Sequence, residues 1–400
     1  MVSISRSQFS QLINIFIAQY GKLSLQLVGL SFLARKLDTI IFGYAAFGLI
    51  IFEFGKILCD FGIFKKIVQT RKIPRLQLIK YGNTSLLLSL IYLLVASIAI
   101  YFSPLNTISE MYIYALAPII YLFSNVNRAR LEKCRKYKTI RDIEIISTAC
   151  GVLSACALAL LVRSDSLLPL AIQVFLSAII NSFLINFYVK SLSSKGFSMS
   201  SWEELQSLRD ILQGDLVHYM YKSLDKVIIG AFLGVVLLGV YVLFYRFISL
   251  PYQLFVSVVN RVMLPNIVKA PMNKKFHTLL MFGGLIFIPL ILLIGIVLLN
   301  KEFIIYLIYG EAYQVYASLV TFAMLAAFAQ TISSMYSVYI LACKMNKQYL
   351  KFLFMQSIFS IFAIFSGSLI SLEHVFIFYA IANIITAAYA LIYLTKNRYI

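Results

Sequence analysis

The sequence predicts an all-α polytopic membrane protein of about 12 transmembrane helices, arranged as two six-helix bundles around a central cavity. Three observations support this fold class: an apolar composition, a series of long apolar runs, and an uneven distribution of charge between the loops. Hydrophobic residues make up 61% of the 400 residues and charged residues only 13%. Soluble domains are roughly half apolar and roughly a quarter charged. We therefore expect lipid to surround most of the chain.

Twelve apolar runs are each long enough to cross about 30 Å of hydrocarbon. The first six are Phe9–Leu33, Ile40–Gly62, Tyr81–Phe102, Met111–Asn127, Ile143–Val162 and Pro169–Val189. The second six are Gly214–Gly234, Leu238–Pro265, His277–Leu299, Val315–Leu341, Leu350–Ser371 and Val375–Leu394. We predict an N-terminal bundle over 1–195 and a C-terminal bundle over 214–400, joined by a cytoplasmic linker at 196–213.

The basic residues between the runs indicate the orientation in the membrane. One alternate set of segments, which includes both termini, contains 25 Lys and Arg residues, whereas the opposite set contains only four. Basic residues accumulate in loops that stay in the cytoplasm. The distribution therefore predicts that both termini are cytoplasmic. It also accounts for the net charge of +19 without a nucleic-acid partner, and we expect none.

Ten charged residues fall within or at the edges of the apolar runs, and they occur only in the first, second, seventh and eighth. The bases are Lys22, Lys56, Lys222, Lys226, Arg246 and Arg261, and the acids are Glu53, Asp60, Asp215 and Asp225. A charge at the bilayer centre costs roughly 2.5–3.5 kcal/mol on insertion scales and usually has a function. Their recurrence in corresponding runs predicts a duplicated six-helix unit with a site where the repeats meet.

Helical spacing arranges these residues into polar faces. Asp215, His218, Lys222 and Asp225 recur at one face of the seventh run, and Glu53, Lys56 and Asp60 do so in the second.

One interpretation is structural pairing, of Lys56 with Asp60 and of Lys222 with Asp225. The other is a wet cavity whose surplus of two positive charges suits a phosphate group. His218 is a candidate protonation switch, although a lone histidine in a membrane helix is more often a hydrogen-bonded structural residue.

Motifs of enzymes are missing from the sequence. It contains no P-loop, no dinucleotide-binding glycine motif, no H-E-x-x-H and no G-x-S-x-G. The three histidines are far apart, and no C-x-x-C pair occurs. We therefore predict no catalytic residues, no cofactor and no metal, and do not expect an enzyme.

Several short motifs resemble those of bacterial polysaccharide-repeat-unit flippases, the O-antigen transporters of the multidrug/oligosaccharidyl-lipid/polysaccharide exporter superfamily. In the second half they are Leu224–Gly230, Phe232–Gly234, Leu238–Tyr241, Tyr245-Arg246, Pro251, Leu264-Pro265 and Tyr309–Glu311. In the first half they are Leu33–Arg35, Phe42–Tyr44 and Asp60–Gly62. These motifs cover about a fifth of the chain, whereas the agreement in topology extends over its full length.

The resemblance implies alternating access in the bacterial inner membrane. It also implies an undecaprenyl-pyrophosphate-linked oligosaccharide as cargo, for O-antigen, lipopolysaccharide or capsular polysaccharide synthesis. The pyrophosphate is expected at the six bases, and the four acids are expected to pair with them or to couple transport to a proton or sodium gradient. Membrane lipids and polysaccharide polymerase machinery are the other expected partners. No motif specifies the sugars, the coupling ion or the oligomeric state.

Three alternatives remain open at this point. A peptidoglycan-precursor flippase of the same superfamily often has helices beyond 12 and a more basic lumen. A multidrug or cation antiporter should have unpaired acids in its cavity. A membrane polymerase or glycosyltransferase should have large outer loops, and here the outer loops are short.

Overall fold

The computed structural model describes residues 6–70, 73–102, 108–189, 204, 206, 208–258, 267–268, 270–343 and 345–396. These residues form helices joined by short turns, and no strand occurs among them. The helices of the first half are α1 (Arg6–Ala34), α2 (Thr39–Asp60), α3 (Ile63–Gln69), α4 (Arg75–Tyr101), α5 (Met111–Leu122), α6 (Asn125–Lys133), α7 (Tyr137–Leu161) and α8 (Leu168–Tyr188). Those of the second half are α9 (Arg209–Phe232), α10 (Gly234–Val258), α11 (Met272–Leu299), α12 (Lys301–Tyr309), α13 (Ala317–Ala342), α14 (Asn346–Ser368) and α15 (Leu372–Lys396).

Each of the twelve predicted spans falls on one of these helices, which confirms the all-α polytopic fold class. Within the described part of the chain, seven helical segments are long and apolar enough to cross a membrane on their own. Two shorter apolar segments, Met111–Leu122 and Gly234–Arg246, lie in the fourth and eighth spans. The last residues of the eighth predicted span, 259–265, lie outside the described residues.

The structure differs from the predicted spans in the fourth crossing and in three loops. The fourth span is interrupted, because α5 ends at Leu122 and α6 begins only at Asn125. Twelve residues of α-helix extend about 18 Å, which is less than the thickness of the hydrocarbon layer. Helices α3, α6 and α12 occupy segments that the apolar pattern assigns wholly or partly to loops. They are short, so hydropathy alone does not reveal them.

The chain divides into two compact units, Met1–Ser223 (unit 1) and Leu224–Ile400 (unit 2). The division falls inside α9, ten residues beyond the end of the predicted linker, most of which is outside the described residues. In unit 1, α5 packs on α2, α4 and α8, and α7 packs on α1 and α8. In unit 2, α13 packs on α10, α11 and α15, and α14 packs on α15.

The packing pairs of the two units correspond. Numbered by span within each half, the second, third and sixth helices pack on the fourth, and the fifth packs on the sixth, in both units. These four pairs of helices thus pack in the same way in both units, which supports the predicted duplication of a six-helix unit. The packing of α1 on α7 in unit 1 has no counterpart of similar extent among the described pairs of unit 2. The limits of the two bundles stay a prediction.

A sharp turn ends α2 and starts α3. Phe61 and Gly62 both have positive φ angles, of 50° and 76°. A Cβ atom at Gly62 would lie 2.8 Å from Cγ2 of Ile211, so a side chain here would meet both strain and a close neighbour. The turn directs α3 back along the end of unit 1.

Helices α3 and α6 share a small apolar core. It consists of the buried residues Ile63, Ile67, Tyr81, Ala129 and Leu208. This core lies apart from the larger helix interfaces and orders two segments between the spans. We call the surface formed by α3, α6, the turn from α6 to α7 and the first turns of α4 and α7 the α3–α6 platform.

Candidate functional site

Asp225 is a buried acid on α9, with only 8% of its surface exposed. Its carboxylate accepts a hydrogen bond of 2.8 Å from the hydroxyl of Tyr241 on α10. Lys226 adds an ion pair at 3.2 Å and a backbone N–H bond at 2.8 Å to the other oxygen. A buried carboxylate is stable only when it is hydrogen-bonded and its charge is compensated. The three residues satisfy this requirement within unit 2.

A small cavity adjoins Tyr241 inside unit 2. Its polar lining comes from Tyr241, Tyr245, Ser249, Gln330 and Tyr379. Its volume of about 20 Å³ is enough for a water molecule, which needs about 10–15 Å³, and is far too small for a sugar ring. The cavity can therefore hydrate the Tyr241 side of the cluster and cannot by itself hold an oligosaccharide.

Arg246 follows Tyr241 by five residues on α10 and is half-buried. It lies within electrostatic range of Tyr309, the last residue of α12. The Tyr309 hydroxyl donates a 2.8 Å hydrogen bond to the carbonyl oxygen of Leu243, and its ring lies 5.8 Å from that of Phe244. The short helix α12 is thus attached to the part of α10 that carries Arg246.

In unit 1, Lys56 on α2 contacts aromatic rings. Its Nζ atom lies 4.2 Å from the ring centre of Tyr121 and 5.3 Å from that of Phe52. The guanidinium of Arg128 lies 5.4 Å from the same tyrosine ring and forms an ion pair with Glu144. Cation–π contacts at these distances stabilise a cation without neutralising it. Lys56 therefore keeps its positive charge in these ring contacts.

Asp60 ends α2 and has structural partners. It accepts a 3.0 Å hydrogen bond from the backbone N–H of Phe64 and another from the side chain of Asn125. Gly62, at the N-cap of α3, has no side chain to bond the free N–H groups of the first turn, and Asp60 does so instead. The same carboxylate connects α2 with the start of α6.

Asp215 forms an ion pair with Lys65 of α3. Four residues further along α9, the Tyr219 hydroxyl donates a 2.6 Å hydrogen bond to the carbonyl oxygen of Ile50 on α2. The ring of Tyr219 also packs on Phe54, with 5.7 Å between centres. The first half of α9 is therefore joined to α2 and α3 within unit 1. Since Lys65 lies in a predicted loop, Asp215 is at the edge of its span rather than in the middle.

The remaining predicted site residues are distributed as follows. Lys22 is half-buried on α1, and Glu53 is half-buried on α2 within electrostatic range of Tyr219. His218 and Lys222 are on α9, but their side chains are outside the described part of the structure. Arg261 lies outside the described residues. The described cations thus belong to both units, and a common cavity stays a prediction.

Sequence reasoning gave no role to three residues that the structure makes prominent: Tyr241, Asn125 and Tyr121. Tyr241 is part of a motif quoted above, and this is a signal that could have identified it. Asn125 and Tyr121 are polar or aromatic residues near the end of an apolar run. Their contacts with Asp60 and Lys56 arise only from folding, because 65 residues separate each pair in the chain.

The helical fold and the charged residues on apolar helices of both halves define a polytopic membrane protein. Its fold resembles that of a solved transporter of the MOP superfamily. The chain aligns over 96% of its length with the lipid II flippase MurJ in an inward closed conformation (87% of that chain, TM-score 0.70, 16% identity). It aligns over 97% with a multidrug resistance MATE family transporter in an inward-facing conformation (98% of that chain, TM-score 0.67, 14% identity).

The chain belongs to the family described as polysaccharide biosynthesis protein, whose model matches residues 32–318. This confirms the family that the motifs indicated. The lipopolysaccharide biosynthesis protein WzxC of Escherichia coli (strain K12) is 24% identical over 326 residues, which are 77% of this chain. The chain spans 63% of the length of that relative.

Proposed function

We propose that the protein is a flippase, not an enzyme, which moves lipid-linked oligosaccharide repeat units across the bacterial inner membrane. Its cargo is an undecaprenyl-pyrophosphate-linked unit for O-antigen or capsular polysaccharide, which passes from the cytoplasmic to the outer leaflet by alternating access. Membership of the polysaccharide biosynthesis family and the likeness to WzxC support this proposal. Both termini are cytoplasmic, and a polysaccharide polymerase receives the exported units.

One observation carries the proposal: two of the four predicted intramembrane acids have partners outside the predicted set of bases. Asp215 pairs with Lys65, and Asp60 accepts hydrogen bonds from Asn125 and from the Phe64 backbone. Asp225 forms an ion pair with Lys226, which is one of the predicted bases. Asp60 and Asp215 therefore do not neutralise the predicted surplus of positive charge on the six bases.

A surplus of positive charge in a membrane protein is suited to a diphosphate. Arg246 can bind two phosphate oxygens at once with its planar guanidinium, and Lys56 and Lys226 can add point charges. The oligosaccharide follows the diphosphate. In this scheme the lipid tail stays in the bilayer, so the protein has to shield only the polar part of the substrate.

The test is export of surface polysaccharide in a strain that lacks the chromosomal copy of the gene. We expect the Lys226→Ala, Arg246→Ala double variant to abolish export. Because Lys226 also compensates the charge of Asp225, export is compared at equal protein level. The matched control is Lys274→Ala, Lys347→Ala, which removes two exposed cations from the same unit and should keep export. Normal export by the first variant would refute the assignment of these cations to the substrate.

A cation antiporter is the less favoured alternative. Such a transporter needs acids that are available to its substrate, whereas Asp60, Asp215 and Asp225 all have described partners. If the Asp225→Asn variant lost drug resistance in a sensitive host and kept polysaccharide export, the antiporter would be favoured instead.

A further inference from the structure

The α3–α6 platform is more basic than the corresponding end of unit 2. Segments 64–80 and 127–144 contain 13 Lys and Arg residues and three acids. The equivalent segments of the second half, 266–277 and 343–351, contain six Lys and no acid. The positive-inside rule requires basic residues in the cytoplasmic segments of both halves. It does not explain why the first half has about twice as many.

The platform is also folded, so its charges have defined positions. Its apolar core holds α3 against α6, with Ile63, Ile67 and Ala129 fully buried. Asp60 connects both helices to the end of α2 through the Phe64 N–H and Asn125. A flexible basic loop would lose entropy when it bound a charged surface, and an ordered platform loses much less.

Two of the three acids of the platform form ion pairs with arginines. Glu144 pairs with Arg128, and Asp142 pairs with Arg141 at 2.7 Å. Burial raises the pKa of the Glu132 carboxyl. The charge of Glu144 raises this pKa further, whereas the charge of Arg128 lowers it. Arg135 and Lys136 in the turn that leads into α7 are exposed, and so is Lys138 in the first turn of α7. The outward field of the platform is therefore positive.

Apolar side chains are also exposed on or beside the helices of the platform. Leu76 in the first turn of α4 is 60% exposed, Val68 on α3 is 37% exposed, and Phe123 before α6 is 57% exposed. A surface that presents cations together with apolar side chains is typical of segments that lie in the headgroup layer of a membrane.

We propose that the α3–α6 platform binds the headgroups of anionic phospholipids in the surrounding leaflet, with Arg135, Lys136 and Lys138 as its principal cations. The leaflet on the cytoplasmic side attracts such basic segments. The apolar side chains of the platform enter the same layer, so charge and hydrophobic contact act together. Its principal cations are different residues from those proposed for the substrate.

The test uses the full-length protein, purified in a neutral detergent, with added phosphatidylglycerol or phosphatidylcholine. We expect phosphatidylglycerol to raise the midpoint of thermal unfolding more than phosphatidylcholine does. The Arg135→Gln, Lys136→Gln, Lys138→Gln variant should lose most of this difference. The matched control, Lys274→Gln, Lys347→Gln, Lys351→Gln, removes three exposed cations from unit 2 and should keep it.

Three results would overturn the proposal. The first is a platform variant that keeps the full difference between the phosphatidylglycerol and phosphatidylcholine shifts of the unfolding midpoint, or a control variant that loses this difference to the same extent. The second is an equal shift with sodium diphosphate alone that is lost in the platform variant, which would indicate a site for free anions on the platform. The third result is measured on the wild type, so it applies even if the variant does not fold. In about 1 M salt the Debye length is about 3 Å, and electrostatic binding is screened. A phosphatidylglycerol effect that persists there would exclude electrostatic binding.

Discussion

The hydroxyl of Tyr241 donates a 2.8 Å hydrogen bond to the buried carboxylate of Asp225. The two residues lie on consecutive helices, α9 and α10, on either side of the turn at Gly234. Both belong to the motifs that resemble polysaccharide flippases. At least part of the motif therefore serves to hold these two helices together inside unit 2, whatever the substrate is.

Removal of the Tyr241 hydroxyl should weaken this junction. Because the acceptor is a buried carboxylate, we expect Tyr241→Phe to destabilise the protein by about 1.5–3 kcal/mol, measured by chemical or thermal unfolding in detergent. Tyr389→Phe is the matched control in unit 2: its ring is 36% exposed, and it should change stability by less than about 0.5 kcal/mol. Equal effects of the two variants would contradict a special role for Tyr241.

The hydrogen bond between Asp60 and Asn125 should appear as a coupling energy. Asn125→Ala leaves a buried acceptor with one partner fewer and should cost about 1–3 kcal/mol. In a double-mutant cycle with Asp60→Ala, the double variant should lose less stability than the sum of the two single losses. The reason is that each single variant already removes the same hydrogen bond. Strict additivity of the unfolding free energies would show that the bond does not stabilise the protein.

Charge reversal tests the ion pair between Lys65 and Asp215. The pair is partly exposed, with side-chain exposures of 53% and 23%, so its contribution should be at most about 1 kcal/mol. Lys65→Asp and Asp215→Lys should each lower the unfolding midpoint, and the double exchange should restore it. Arg163→Gln disrupts a much more exposed pair, at 3.7 Å, and should have no effect. A double exchange as unstable as the singles would contradict the pairing.

The turn at Gly62 should tolerate no side chain. We expect Gly62→Ala to cost about 1–3 kcal/mol, because its φ of 76° is strained for alanine and the new Cβ would meet Ile211. The control is Gly214→Ala on α9, where a Cβ atom has no neighbour within 4 Å. That variant should be neutral or slightly stabilising, as is usual for glycine to alanine in a helix. Thermal unfolding of both proteins measures the difference.

The orientation can be tested with Cys134, which is exposed in the turn after α6. A membrane-impermeant maleimide should label a variant with only this cysteine after permeabilisation of the cells, and not before. In a cysteine-free background, Ser164→Cys should be labelled in intact cells, since Ser164 is exposed in a predicted outer loop. The reverse pattern would invert the proposed topology.

The fold was predictable from the sequence to a large extent. Each predicted span falls on a helix, since runs of about 20 apolar residues can satisfy their backbone in lipid only as helices or closed barrels. The boundaries were less accurate. The interruption between α5 and α6 and the short helix α12 follow from local packing, such as that of Tyr309 on Leu243 and Phe244, and hydropathy does not register it.

The candidate site was predictable in composition and only partly in its contacts. Spacing on one helix suggested pairs of Lys56 with Asp60 and of Lys222 with Asp225. The structure places Lys56 over Tyr121, Asp60 against Asn125, and Asp225 against Tyr241 and Lys226. The pairing of Lys222 with Asp225 stays a prediction, because the Lys222 side chain lies outside the described part of the structure. Intrahelical spacing shows which residues share a face, whereas the partners offered by other helices decide which contact forms.

By itself, the sequence determined that this is a polytopic helical membrane protein, which charges it retains in its apolar helices, and to which family it belongs. These properties depend on composition and local order, and so they can be read along the chain. Only the tertiary structure decided that Asp60 and Asp215 bind Asn125 and Lys65, because those partners are 65 and 150 residues away. The same folding converted two basic segments between the spans into an ordered platform.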